Sequence, residues 1–183
     1  MLKHRAIRLS LKDRIRDMLL SPDVATGWAA FNIYNESQFR AAQAGSFTPV
    51  FPFVYIMDSY ILPVAQRLDK QYPQVVIEIE TYRSRPFEIG NRSGRDVTAW
   101  VHVFGKDRGQ RDDLGSYIVD YIGNSLPIKD YSAANPSGVV VDNALFDDEK
   151  VAKDMYTPRL EQEVSGSLLM GWTRCEIGFM PKA

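Results

Sequence analysis

Apolar residues near the start of the chain recur at three- and four-residue intervals: Ile7, Leu11, Ile15 and Met18, with Ala6 and Leu19 beside them. That spacing predicts an amphipathic helix over Leu2 to Leu20. Lys3, Arg5, Arg8, Lys12, Arg14 and Arg16 fill most of its other face, and Ser21, Pro22 and Asp23 stop it. An Arg-rich amphipathic start imitates an organelle transit peptide. Asp13, Asp17 and the lack of a Ser-rich stretch argue instead for a docked helix.

The period then changes from helical to alternating. Phe51 to Met57 reads as a strand that enters behind two prolines, which suits an entry point or an edge. In Gln74 to Tyr82, Val75, Ile77, Ile79 and Thr81 alternate with Val76, Glu78, Glu80 and Tyr82. In Val97 to Phe104, Val97, Ala99, Val101 and Val103 form the inner face, and Trp100, His102 and Phe104 stand on an outer face that something must cover. The two strands read as a long antiparallel hairpin whose polar, Gly- and Arg-rich tip spans 83–95. Asp107 is the expected N-cap of a second helix, over about 107–124. Gln110 completes a capping-box pattern, Asp112 and Asp113 fall in the first turn, and Leu114, Tyr117, Ile118, Tyr121 and Ile122 sit on one face. A turn is expected at Leu126 and Pro127, followed by strands over Gly138 to Leu145 and Ser167 to Phe179. A short strand at 31–34, a helical turn at 38–43 and a short helix within 60–71 complete the pattern. The stretches 24–48 and 147–163 fit no sustained period and read as arms or loops for subunit contacts.

Composition narrows the class. The chain has 183 residues, 45% hydrophobic and 11% aromatic, which suits one globular domain over 1–183. Cys175 alone makes neither an internal disulfide nor a cysteine-based zinc site. The longest apolar run, Val50 to Met57, is broken by Pro52 and falls far short of the roughly 20 residues a membrane span needs. A soluble α+β domain is the expectation. The net charge of −1 hides an asymmetry: residues 1–111 carry 16 basic and 11 acidic side chains, a net of +5, whereas 112–183 carry 6 and 12, a net of −6. Such polarity suits head-to-tail contacts between copies, or a partner of one sign.

Candidate chemistry is sparse. The two histidines, His4 and His102, form no metal or nucleophile motif with other residues. The glycines at 90–94 and 105–109 frame no phosphate loop, because neither places a lysine and a hydroxyl at a helix start. Glu78 and Glu80 make only a weak carboxylate pair on one strand side. Seven basic residues are the better candidate, as an interface: Arg83, Arg85, Arg92 and Arg95 in the hairpin tip, and Lys106, Arg108 and Arg111 after the next strand. A strand of about 8 residues spans roughly 25 Å, so the two groups belong to different ends of the hairpin. Arginine-rich tips bind phosphate or carboxylate partners. No aromatic ladder separates these arginines, which disfavours sequence-reading nucleic-acid modules.

The order of these elements resembles that of tail terminator and neck proteins of long-tailed bacteriophages. The resemblance rests on PFVYI at 52–56, VTAWVHVFGKDRGQRDDL at 97–114 running into the Leu114 to Ile122 helix, and LPIKDY at 126–131. It covers about residues 50–180 and is one of order and spacing, since that family has no invariant catalytic motif. It implies an α+β domain with a mostly antiparallel sheet, here of about 4–6 strands, and helices packed on it. It further implies a virion protein without catalysis, metal or cofactor, assembled in the host cytoplasm. Its copies would form a homohexameric ring that caps the tail tube protein and meets the head-connector or stopper protein, with DNA passing without sequence-specific contact. A competing reading is a small enzyme or ligand-binding domain. Its pocket would lie between the sheet and the Leu114 helix, around Glu78, Glu80 and His102. A nucleic-acid binder is a third reading, and the net charge of −1 disfavours it.

Overall fold

The computed structural model describes residues 4–21, 29–86, 93–123, 125–132, 135–146, 155–156 and 170–179. Along the chain these form α1 (His4–Leu20), β1 (Asn32–Tyr34), α2 (Glu36–Ala44), β2 (Phe53–Met57), a 3-10 turn (Ala65–Arg67), α3 (Leu68–Gln71), β3 (Gln74–Pro86), β4 (Ser93–Phe104), α4 (Arg108–Tyr121), β5 (Ser125–Ser132), β6 (Asn135–Phe146), β7 (Met155–Tyr156) and β8 (Met170–Phe179). The fold is α+β. One sheet runs β1-β2-β3-β4-β8-β6-β5, with β7 paired on β8. β1, β2 and β3 are mutually parallel, and the remaining pairs are antiparallel.

Alternation along β3 and β4 decides which side each helix covers. Val75, Ile77, Ala99, Val101 and Val103 face one way and share a core with Ile7, Leu11, Ile15 and Leu19 of α1 and Leu114, Tyr117 and Ile118 of α4. Val76 and Phe104 face the other way, into a second core with Phe39 and Ala42 of α2, Tyr55 and Tyr72. The two connections between parallel strands, through α2 and through α3, lie on that second side. Parallel strands stepping in one direction with crossovers of one hand place successive connections on the same face.

Several elements depart from the expected pattern. The stripe of α1 runs through Leu19, which is fully buried, while Met18 is partly buried beside it. Residues 29–48 are no free arm: β1 pairs with β2, and α2 buries Phe39 and Ala42. A complete capping box starts α2. Asn35 Oδ1 accepts the Gln38 N–H at 3.1 Å, and Gln38 Oε1 accepts the Asn35 N–H at 3.0 Å. β2 is an entry but not an edge, since β1 and β3 flank it. The turn expected at Leu126 and Pro127 is strand β5. It ends the strand order, where a residue lacking an N–H is tolerated. Met155 and Tyr156 add strand β7, where a loop or helix was expected. Residues 24–28, 147–154, 157–163 and 167–169, and the hairpin tip 87–92, lie outside the described residues.

The β5–β6 hairpin touches the rest of the sheet narrowly. Among the described residues β6 meets β8 through two pairs, Leu145 with Gly178 and Phe146 with Ile177. Helix α1 supplies a second attachment. Leu126, Ile128 and Ala144 pack into its core, and Ser10 Oγ accepts the Lys129 N–H at 2.9 Å. The Tyr131 hydroxyl donates to Asp13, whose carboxylate also lies 3.5 Å from Lys129 Nζ. Burial, then the bond to Asp13, pushes the Tyr131 hydroxyl above its ordinary pKa of 10.0. Within the hairpin, Gly138 has φ +76°, and a Cβ there would stand 2.8 Å from Lys129 Cβ. Only glycine fits this position without strain.

Two outcomes follow. Leu11→Ala should cost about 2–5 kcal/mol in denaturant melts, and Met18→Ala well under half of that. Tyr131 binds its proton more tightly when folded. Its contribution is therefore complete below pH 10.0 and is lost as the pH climbs above that value. Tyr131→Phe should lower stability by about 0.5–1.5 kcal/mol at neutral pH and flatten the decline seen in alkaline melts.

Candidate interaction surfaces

The seven basic candidates separate into three kinds of environment. Arg83, Arg85 and Arg95 occupy the far end of the β3–β4 ladder, in the pairs Arg83 with Asp96, Ser84 with Arg95 and Arg85 with Gly94. Arg92 lies outside the described residues. Lys106 and Arg108 are exposed at the other end of the ladder, beyond the pair Gln74 with Phe104. Arg111 does not belong with them. It is 1% exposed, its Nε donates to Asp112 Oδ1 at 2.7 Å, and its Nη2 sits 2.6 Å from the same oxygen. A guanidinium with that little surface is part of the packing under α4 and is not a contact for a partner.

The start of α4 shows why. Asp107 Oδ1 accepts the Gln110 N–H at 2.8 Å, as an N-cap should. Gln110 Oε1 reaches back one residue further than a capping box, to the Lys106 N–H at 3.0 Å. Asp112 and Asp113 lie past the first turn, and Asp112 is bracketed by Arg108 and Arg111. Gly105 allows the helix start to close on the strand end, because a Cβ there would meet Arg111 N at 2.7 Å. The glycines at 105 and 109 thus serve close packing at Gly105 and an exposed helix turn at Gly109.

The pocket expected around Glu78, Glu80 and His102 is not placed between the sheet and α4. His102 lies on the face of β4 that carries Phe104, and Glu78 on the face of β3 that carries Val76, whereas α4 covers the opposite face. His102 is 7% exposed, with Nε2 3.4 Å from Glu78 Oε2. Its ring stacks between Trp100 and Phe104, and Phe104 stacks on Tyr60 with ring centroids 4.1 Å apart. The segment carrying Tyr60 is the cover that the outer face of β4 required. Burial raises the Tyr60 hydroxyl above its ordinary pKa, and it lies 3.2 Å from the Tyr72 hydroxyl.

A cleft of about 490 Å³ opens elsewhere, where β1–β3 begin and β4 ends. Phe31, Phe51, Pro52, Phe53, Tyr72, Pro73 and Leu114 supply its apolar walls, and Asp69, Lys106, Asp107, Gln110 and Asp113 its polar ones. Phe51 is 82% exposed, and its neighbour Val50 is held at the sheet edge by Asn32 Nδ2, which donates to the Val50 carbonyl at 3.0 Å. Val50 is itself 63% exposed, so the two side chains make a small apolar patch at the sheet edge. A second apolar strip is Val139, Val140 and Val141 on β6, each about half exposed. The bulge between Ile128 and Lys129 leaves Val141 without a partner in the register.

Comparison of the chain with protein-family models, with curated proteins and with solved structures finds no match. Among the described residues, no group of three or more His, Cys, Asp or Glu side chains is arranged to hold a metal ion. No described helix is long and apolar enough to cross a membrane.

The placement of Arg111 gives a direct contrast. Arg111→Ala should cost about 2–4 kcal/mol in thermal or denaturant melts, through lost packing and a carboxylate stripped of its partner. Arg108→Ala and Lys106→Ala should each change stability by less than about 0.5 kcal/mol.

Proposed function

We propose that this chain is a structural ring protein of a bacteriophage neck, which caps the tail tube and joins it to the head connector without catalysis. The strand order is the observation that carries this reading. β1–β4 all come from residues 1–111, with net charge +5, and β8, β6 and β5 all come from residues 112–183, with net charge −6. The two halves of the chain thus build opposite sides of the sheet, with a parallel-paired edge at β1 and an antiparallel-paired edge at β5. The basic excess lies on α1 and at the start of α4. A subunit with unlike sides favours heterologous contacts, which close into rings when the rotation between copies permits. The order of elements shared with tail terminator and neck proteins supports the same reading.

The aromatic cleft favours one competing reading, a domain that binds a small ligand, because its volume falls within the usual range for such sites. Light scattering and negative-stain electron microscopy of the purified protein separate the two. Rings with a central hole, able to stop the growth of tail tubes, are the expected result. A monomer at high concentration that neither caps tubes nor binds connector, and whose melting temperature rises with a metabolite, would overturn the ring.

A further inference from the structure

We infer that the arginine-bearing end of the β3–β4 hairpin in one copy docks into the aromatic cleft of the next. This contact rests on the ring reading above and names the surfaces that would build it. The cleft walls include Phe31, Phe51 and Phe53, and its charged lining is Asp69, Asp107 and Asp113 against a single cation, Lys106. Aromatic faces beside an excess of carboxylate suit a guanidinium, which stacks on rings and takes bidentate hydrogen bonds from its edge. The chain carries such groups at Arg83, Arg85 and Arg95, on the last pairs of the same ladder.

The two surfaces occupy opposite ends of one ladder. The cleft lies at the pair Gln74 with Phe104, and the arginines flank the pair Arg85 with Gly94. A strand of 13 residues is about 40 Å long. The arginines therefore do not reach the cleft of their own copy. A two-fold dimer that paired like ends would set arginine against arginine, or carboxylate against carboxylate. Joining unlike ends satisfies both. Repeated from copy to copy it is heterologous and builds the ring, whereas a reciprocal two-fold pair would stop at a wild-type dimer and overturn the ring reading.

A mixing experiment tests this. One variant loses the arginines (Arg83→Ala, Arg85→Ala and Arg95→Ala), and the other loses the cleft (Phe51→Ala, Asp69→Lys and Asp113→Lys). Phe51, Asp69 and Asp113 are exposed, and thermal melts of both variants serve as the check that they fold as wild type does. Each variant alone should be monomeric by light scattering. Mixed, they should form a dimer that grows no further, since one copy still offers an intact cleft and the other intact arginines. Wild-type assembly should weaken as salt rises. Rings formed by either variant alone, or a mixture that stays monomeric, would overturn the contact and leave the ring reading standing. Wild-type protein that forms no oligomer would overturn the ring reading, and the contact with it.

Discussion

Helix α1 is the constraint on which the other elements depend. Its four fully buried residues, Ile7, Leu11, Ile15 and Leu19, are each worth about 2 kcal/mol of burial. They join a core that includes residues from both termini of the strand order. The polar grip is as wide. Leu19 accepts the Phe31 N–H beside β1, Lys12 pairs with Asp58 after β2, and Arg14 donates to the Ile122 carbonyl at the end of α4. Ser10 and Asp13 hold β5. The two-pair seam between β6 and β8 could not fix the hairpin by itself. The helix clamps the hairpin to the remainder of the sheet.

This role explains which parts of the fold were legible. Where one face of an element packs on a continuous core, its period is clean: α1, β3, β4 and α4 all emerge from spacing alone. Where an element is short or lies at an edge, the period fails. β1 has three residues, β7 has two, and β5 contains a proline that local rules assign to a turn. Parallel pairing of β1, β2 and β3 leaves no local mark either, because it is set by crossovers on one face. The displacement of the helical stripe from Met18 to Leu19 has a similar origin. Both positions fit three- or four-residue spacing, and the packing of β1 against the helix end decides between them.

The candidate surfaces divide in the same way. Basic residues were visible as types, but their environments were not. Arg111 stands three positions from Arg108 and shares Asp112 with it, yet Arg111 is buried where the helix start closes on Gly105 while Arg108 stays in water. The cleft had no linear signal at all. Its walls are drawn from 31, 51–53, 69–73 and 106–114, which only the parallel order of β1–β3 and the return of β4 bring together. The apolar run places Phe51 at the start of a strand. Its exposure shows the opposite use: the strand begins at Phe53, and the ring before it is left at the cleft mouth.

A single antiparallel ladder thereby sets both the fold and the distance between its two ends. Antiparallel pairing returns β4 to the level at which β3 starts, so Phe104 and the first turns of α4 meet the beginnings of β1–β3. That return builds the carboxylate-lined cleft. The same pairing carries the positions of Arg83, Arg85 and Arg95 to the end of the ladder away from the cleft. Lengthening the hairpin by two residues on each strand would keep the side-chain alternation and both cores. It would also move the basic end away from the cleft by about 7 Å. Strand length in β3 and β4 is thus a geometric variable that stability leaves free and that a repeating contact between copies would have to hold fixed.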